Sequence, residues 1–162
     1  MSSSLLEDLP EKGAYTLVIM MRARDSIAVS RLGIFTFPKG YYAYTGSAMN
    51  NLPKRVERHI KKKKIKHWHI DFLVGNDHAE LSSVIASSAG QNIECKANKA
   101  LFAIEGTSVP VSGFGASDCK NGCKSHLAYF GERSPQKKIL NAYRTLFGPN
   151  VTEASMQIKK RN

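Results

Sequence analysis

The chain has 162 residues, about one domain's worth, and its hydrophobic fraction of 42% is too high for wholesale disorder. Twenty-four Lys and Arg against thirteen Asp and Glu give a formal charge of +11, which favours a polyanionic partner. No apolar run approaches the ~20 residues that cross a bilayer, and no separate aromatic-rich basic helix suggests a membrane surface. The segment 1–8 is acidic and lacks the basic-then-apolar order of a signal peptide, so the cytoplasm is the expected compartment, with nucleoid association where the polyanion is DNA. Cys95, Cys119 and Cys123 are an odd set, which argues against a disulfide framework and for reduced thiols.

Residues 1–12 read as a tail. The apolar, partly β-branched stretch 15–21 is a strand. Arg24-Asp25-Ser26 signals a turn, 27–30 alternates, Leu32-Gly33 breaks the pattern and 34–37 resumes it. Pro38-Lys39-Gly40 is a strong turn, followed by an aromatic strand over 41–45. Three reversals make that last strand antiparallel to the first. Gly13-Ala14-Tyr15 and Tyr44-Thr45-Gly46 then lie at the same end of the sheet, provided their strands are neighbours.

From residue 51 the apolar period lengthens. Asn50 or Asn51 can cap a helix with Pro53 in its first turn, and Leu52, Val56 and Ile60 form its apolar stripe. Arg55 and His59 lie beside that stripe, four residues apart. The other face carries Lys54, Arg58, Lys61 and Lys62, and the basic run continues through Lys63, Lys64 and Lys66. A short helix is expected over 68–74, a strand over 81–86 and a buried helix over 93–104. A Gly-rich loop covers 113–118. A C-terminal helix opens at Ser134-Pro135 and ends at Gly148-Pro149, and the basic residues beyond it read as a mobile tail.

The block Tyr44-Thr45-Gly46-Ser47-Ala48, then Leu52, Arg55, Val56 and His59, with Gly13-Ala14-Tyr15 as partner, resembles the GIY-YIG nuclease superfamily. The small archaeal branch of Uri-type predicted endonucleases is closer. It shares Gly33 with Phe37-Pro38, Gly40-Tyr41-Tyr42-Ala43-Tyr44, His67-Trp68-His69-Ile70-Asp71, Glu94-Cys95, Gly113-Phe114-Gly115 and Ser125-His126-Leu127. The likeness covers roughly residues 11–131. It implies an α+β fold, a small central antiparallel or mixed sheet flanked by helices, with extra strands inserted between the two motif strands. The corresponding organisation is a tail over 1–12, a GIY-YIG-like nuclease domain over 13–131, and a C-terminal helix and basic tail over 132–162.

The resemblance also implies a metal-dependent DNA endonuclease, acting in repair or on branched DNA. Phosphodiester hydrolysis needs an activated water, a cation on the developing charge and stabilisation of the leaving oxygen. By resemblance Glu94 holds Mg²⁺ or Mn²⁺, and Tyr15 and Tyr44 relay protons and contact substrate. Arg55 clamps a phosphate, and His59 is an auxiliary acid or base. A phenol can relay a proton where a neighbouring cation, here Arg55, stabilises its phenolate. Lys54, Arg58, Lys61, Lys62, Lys63, Lys64 and Lys66 form the expected phosphate-tracking surface. It would carry no base-reading information, and RNA stays open beside DNA.

The chain departs from the wider superfamily in three places. The span between its motifs is long, Ser47 stands where many members carry Lys, and Ser117 or Asp118 stands in for a late Asn. These departures leave open a non-catalytic nucleic-acid-binding module that retains the fold. His67 and Asp71 share a helical face and either extend the site or flank a packed Trp68. Cys119, Cys123 and His126 have spacing compatible with zinc, with His67, His69 or Asp118 as a fourth ligand.

Overall fold

A computed structural model describes residues 4–88, 92–117 and 119–156. Its centre is a five-stranded antiparallel sheet ordered β6-β4-β1-β5-β7. The strands are β1 (Gly13–Met21), β4 (Gly40–Ala48), β5 (Ala79–Ser87), β6 (Leu127–Tyr129) and β7 (Val151–Ser155). Between β1 and β4 is inserted a separate hairpin, β2 (Asp25–Val29) with β3 (Gly33–Phe37). The Leu32-Gly33 break is therefore a true reversal, and the expected extra strands lie where the turn count put them.

β1 is a nearly continuous apolar run because both of its faces are covered. Tyr15, Leu17, Ile19 and Met21 join one core cluster with Leu52, Val56, Ile70 and Leu73. These last four come from α2 (Leu52–Ile60) and α3 (His69–Val74). Val18 joins the opposite cluster with Ala97, Leu101, Ile139 and Tyr143, from α4 (Ile93–Phe102) and α5 (Gln136–Phe147). On that face Thr16 Oγ1 lies 2.7 Å from the Tyr143 hydroxyl and 2.9 Å from Thr45 Oγ1. These buried polar contacts tie the C-terminal helix to the sheet.

Three stretches differ from the sequence expectation. Of the expected tail over 1–12, the described residues from Ser4 onward pack on the domain: α1 (Ser4–Glu7) forms a turn, and both Leu6 and Leu9 are buried in the core. Glu11 then braces the start of α2, its carbonyl accepting from Leu52 N at 2.8 Å and its carboxylate from Asn51 N at 3.0 Å. The segment after Gly148 adds β7 to the edge of β5, where backbone pairing and the buried Ala154 hold it. Its basic end, from residue 157, lies outside the described residues. β6 was not expected, being three residues long and too short to show a period. No helix of the described residues is long and apolar enough to cross a membrane.

Candidate active site

Pairing of β1 with β4 sets Tyr15 opposite Gly46 and Leu17 opposite Tyr44. Cross-strand partners share a face, so the two motif tyrosines stand on the α2 side of the sheet. β6 pairs with β4 only from Tyr42 to Tyr44, so on that edge no strand among the described residues covers Gly46 and Ser47, which pair with β1 on the other. Groups from both faces reach this gap. Tyr15, Tyr44 and Arg55 come from the α2 side and Glu94 from the first turn of α4, and all four line one cavity of 240 Å³. Gly46, Ser47, Trp68, Gly115 and Cys119 also line it. Ser47 and Glu94 also line an adjoining, more open groove of 670 Å³.

Asn51 starts α2 in the left-handed conformation (φ 49°), and its side-chain oxygen accepts from Lys54 N at 3.2 Å. The helix then places Arg55 and His59 one turn apart toward β4. Arg55 Nη1 donates to the Ser47 carbonyl at 2.9 Å, and its guanidinium lies 4.9 Å from the Trp68 ring centre. The fork is thus held in one orientation from two sides. His59 is fully buried behind Tyr15, with Nε2 2.8 Å from the phenol oxygen. Burial, reinforced by nearby Lys64, holds His59 down to about 3, so the ring is neutral at physiological pH. The resemblance implies an auxiliary acid or base at His59; in the structure it stands behind the cavity and meets it through Tyr15.

Burial drives the Tyr15 phenol well above its ordinary value, and Tyr44 adds to the rise while Arg55 opposes it. Tyr44 is raised by burial first and then by Glu94. Both phenols are therefore protonated at rest, and Arg55 does not hold a standing phenolate. Glu94 is one-third exposed and is oriented from two sides. Its Oε1 accepts from Ser47 Oγ at 3.0 Å, and its Oε2 lies 3.5 Å from His126 Nδ1.

Gly46 has a steric role. A Cβ there would lie 2.7 Å from the Tyr15 hydroxyl oxygen and 2.8 Å from Cζ, so the phenol lies directly over the glycine. Gly46→Ala is expected to cost about 1–3 kcal/mol of stability as the ring is pushed off His59. Urea denaturation checks this, and an unchanged midpoint would reject the packing role.

A protein-family profile, Domain of unknown function DUF123, matches residues 14–148, most of the chain. The chain belongs to the DUF123 family. No curated protein and no solved structure matched it. The DUF123 match runs from β1 through α5 and takes in every cavity residue named above.

The basic run in this DUF123 chain is not one solvated face. Arg58 makes a two-pronged pair with buried Asp71, 2.9 Å on each arm, and lies 4.4 Å from the Trp68 ring centre. Lys62 Nζ donates to the carbonyls of Val74 at 2.9 Å, Asn76 at 2.8 Å and Ala79. Lys64 Nζ donates to the Arg58 and His59 carbonyls at 2.9 and 3.1 Å, satisfying the end of α2. Lys54, Lys61, Lys63 and Lys66 remain exposed, with Glu57 4.0 Å from Lys61.

Asp71 does not extend the cavity. It accepts from His67 N at 2.8 Å and Trp68 N at 3.0 Å besides Arg58, fixing the start of α3. His69 Nδ1 accepts from Gly115 N at 2.9 Å and holds the Gly-rich loop, while His67 is exposed.

Cys119, Cys123 and His126 come together, and their fourth partner is Cys95 on α4, one residue after Glu94. His67 and His69 are outside this cluster, and Asp118 lies outside the described residues. The four side chains form a Cys₃His cluster that could hold a metal ion. Cys119 also lines the 240 Å³ cavity. Burial opposes its ionisation, yet the adjoining His126 and the backbone N–H groups of Asn121 and Cys123 hold its thiol below the usual range. Sequence spacing missed Cys95, because a helix brings it to the loop only through tertiary packing.

Proposed function

We propose that this DUF123 chain is a metal-dependent DNA endonuclease of the GIY-YIG type. The supporting observation is the convergence of Tyr15, Tyr44, Arg55 and Glu94 around one cavity at the end of the two motif strands. Arg55 would bind the scissile phosphate with its fixed, permanently charged fork. The donor chemistry of Glu94 fits Mg²⁺ or Mn²⁺, which commonly use one or two carboxylates and retain several waters. Each Glu94 oxygen keeps a lone pair beyond the contacts that orient it. When bound, such an ion neutralises charge that develops on the phosphoryl and leaving oxygens.

The chain's own residues would orient the attacking water. Water bonds to phosphorus as the P–O bond to the leaving strand breaks. The Tyr15 hydroxyl donates to neutral His59, 2.8 Å away, which turns the phenol oxygen's lone pairs toward the attacking water to accept its hydrogen bond. The water proton leaves to solvent, and the leaving oxygen takes one from it. His59 thus positions Tyr15 without touching the substrate. Tyr44 borders the same cavity and would contact the phosphate or sugar.

The charge of +11 and the exposed Lys54, Lys61, Lys63 and Lys66 support a DNA partner, and nucleoid association would follow. The test is cleavage of nicked, flapped and forked DNA with Mg²⁺ or Mn²⁺, compared with single-stranded RNA. Cleavage that needs the metal and Tyr15 supports the reading; binding with no cleavage of any substrate would return the chain to a non-catalytic module. For the surface, Lys61→Gln with Lys63→Gln should lower the salt slope of DNA binding by about 0.9 for each phosphate that is no longer neutralised. Thermal stability should hardly change, because both side chains are exposed. An identical slope would place the DNA elsewhere.

A further inference from the structure

We propose that Cys95, Cys119, Cys123 and His126 bind a single Zn²⁺, and that this ion, through His126, fixes Glu94 at the cavity. The donor atoms all lie within 4.8 Å of one another. Cys95 Sγ and Cys119 Sγ are 3.7 Å apart. Two thiolates bound at about 2.3 Å to a common tetrahedral ion stand about 3.8 Å apart. A disulfide would bring them to about 2.05 Å. The spacing fits a shared ion and not a bond.

His126 supplies the second observation. It is 1% exposed, and its Nδ1 faces two acceptors, the Thr45 carbonyl at 3.2 Å and Glu94 Oε2 at 3.5 Å. Those neighbours place the ring proton on Nδ1 and leave the lone pair on Nε2. Nε2 is buried without a hydrogen-bond partner, an arrangement that otherwise costs about 1–3 kcal/mol. A metal at the cysteines would use that lone pair. Carboxylate, imidazole and metal in series are a common way of orienting a ligating histidine, and here the carboxylate is Glu94. Asn121 Nδ2 donates to Cys95 Sγ at 3.4 Å, a contact that suits a thiolate.

Three soft sulfurs and one imidazole favour zinc, and four protein donors leave no open coordination position. The site is therefore structural. What it would hold is the segment 103–126, which contains no helix and no strand among its described residues. Loops longer than about 12–15 residues without regular structure are uncommon in compact domains unless they are functional or tied down. This one carries Gly115 and Cys119 to the cavity rim, and the ion would clamp it to α4 beside Glu94.

The zinc site stands independently of the nuclease reading; only its effect on Glu94 rests on that reading. The full chain, stripped of metal by chelation under reducing conditions, is titrated with Co²⁺. One equivalent should give the thiolate-to-cobalt charge-transfer band and intense visible bands of a tetrahedral site, displaced by an equivalent of Zn²⁺. The charge-transfer band should weaken in Cys95→Ser as well as in Cys123→Ser. Absence of the band in the wild-type chain, or an unchanged band in Cys95→Ser, would overturn the site. So would a Cys95–Cys119 disulfide found by thiol counting in the untreated protein. For the link to Glu94, Mn²⁺ affinity is measured by electron paramagnetic resonance on zinc-loaded and zinc-stripped chain. Stripping should weaken it roughly ten-fold, as removal of a supporting hydrogen-bond partner typically does. Equal affinity in both forms overturns the link. Failure of both forms to bind Mn²⁺ removes the Glu94 reading and the link together, while the cobalt spectrum still decides the zinc site.

Discussion

Glu94→Gln is expected to lower metal-dependent DNA cleavage by about 10²–10³-fold, the usual cost of removing one preorganised electrostatic group. The substitution keeps the shape of the side chain and an oxygen that can accept from Ser47 Oγ, now 3.0 Å away. What it removes is the negative charge. Glu94 is the carboxylate among the described cavity-lining residues, so none of those offers a second anionic oxygen ligand. DNA affinity should change little or rise slightly, because the loss of an anion beside the phosphate relieves repulsion. Stability should also be nearly unaffected, since the side chain is one-third exposed. Single-turnover cleavage and equilibrium binding, measured on the same preparations, separate these effects. A cleavage rate within a few-fold of wild type would remove Glu94 from the proposed chemistry.

The parts of this site that were legible in the sequence are those set by local rules. A count of reversals is enough to make β4 antiparallel to β1, and the observed register sets Tyr15 opposite Gly46. The four-residue step of α2 puts Arg55 and His59 on the side facing β4. Long-range partners were not legible. Lys62 and Lys64 look like Lys61 and Lys63 in sequence, yet their ammonium groups end on backbone carbonyls that the fold happens to present. Arg58 sits among cations on a polar face, but thirteen residues later Asp71 turns it inward. Cys95 lies on a helix far in sequence from Cys119, and only packing of α4 against β1 and β4 brings their sulfurs together. The missed β7 has a single buried residue, Ala154, so its pairing with β5 leaves almost no apolar pattern to read. His59 illustrates a different limit. Spacing located the residue, but burial set its charge state and placed it behind Tyr15.

Asp71→Ala is expected to destabilise the fold by about 3 kcal/mol, near the lower end for breaking a buried ion pair. The lower end applies because Arg58 is 27% exposed and can be partly rehydrated once its partner is gone. Lys64, 7% exposed and 3.8 Å from the same carboxylate, has less access to water. Asp71 itself is fully buried, and burial alone would raise its affinity for a proton. The Arg58 guanidinium and the N–H groups of Trp68 and His67 outweigh that effect and hold the carboxyl at about 2, against an ordinary 3.8. A carboxyl lowered by folding stabilises the native state above its unfolded value, and this gain is lost as pH falls through the folded one. The wild type should therefore lose roughly 2 kcal/mol between about pH 4 and pH 2, and Asp71→Ala should lack this component of acid lability. Denaturant unfolding of both proteins across that window checks the sign and the size. Parallel acid curves, or equal stability at neutral pH, would contradict the assignment. The same carboxylate orders Arg58 beneath Trp68, and Arg55 packs on that ring. Weakened stacking at Trp68 should thus reach the cavity as a loosened Arg55, visible, on the proposed role of that residue, as weaker DNA binding in whatever fraction of the variant remains folded.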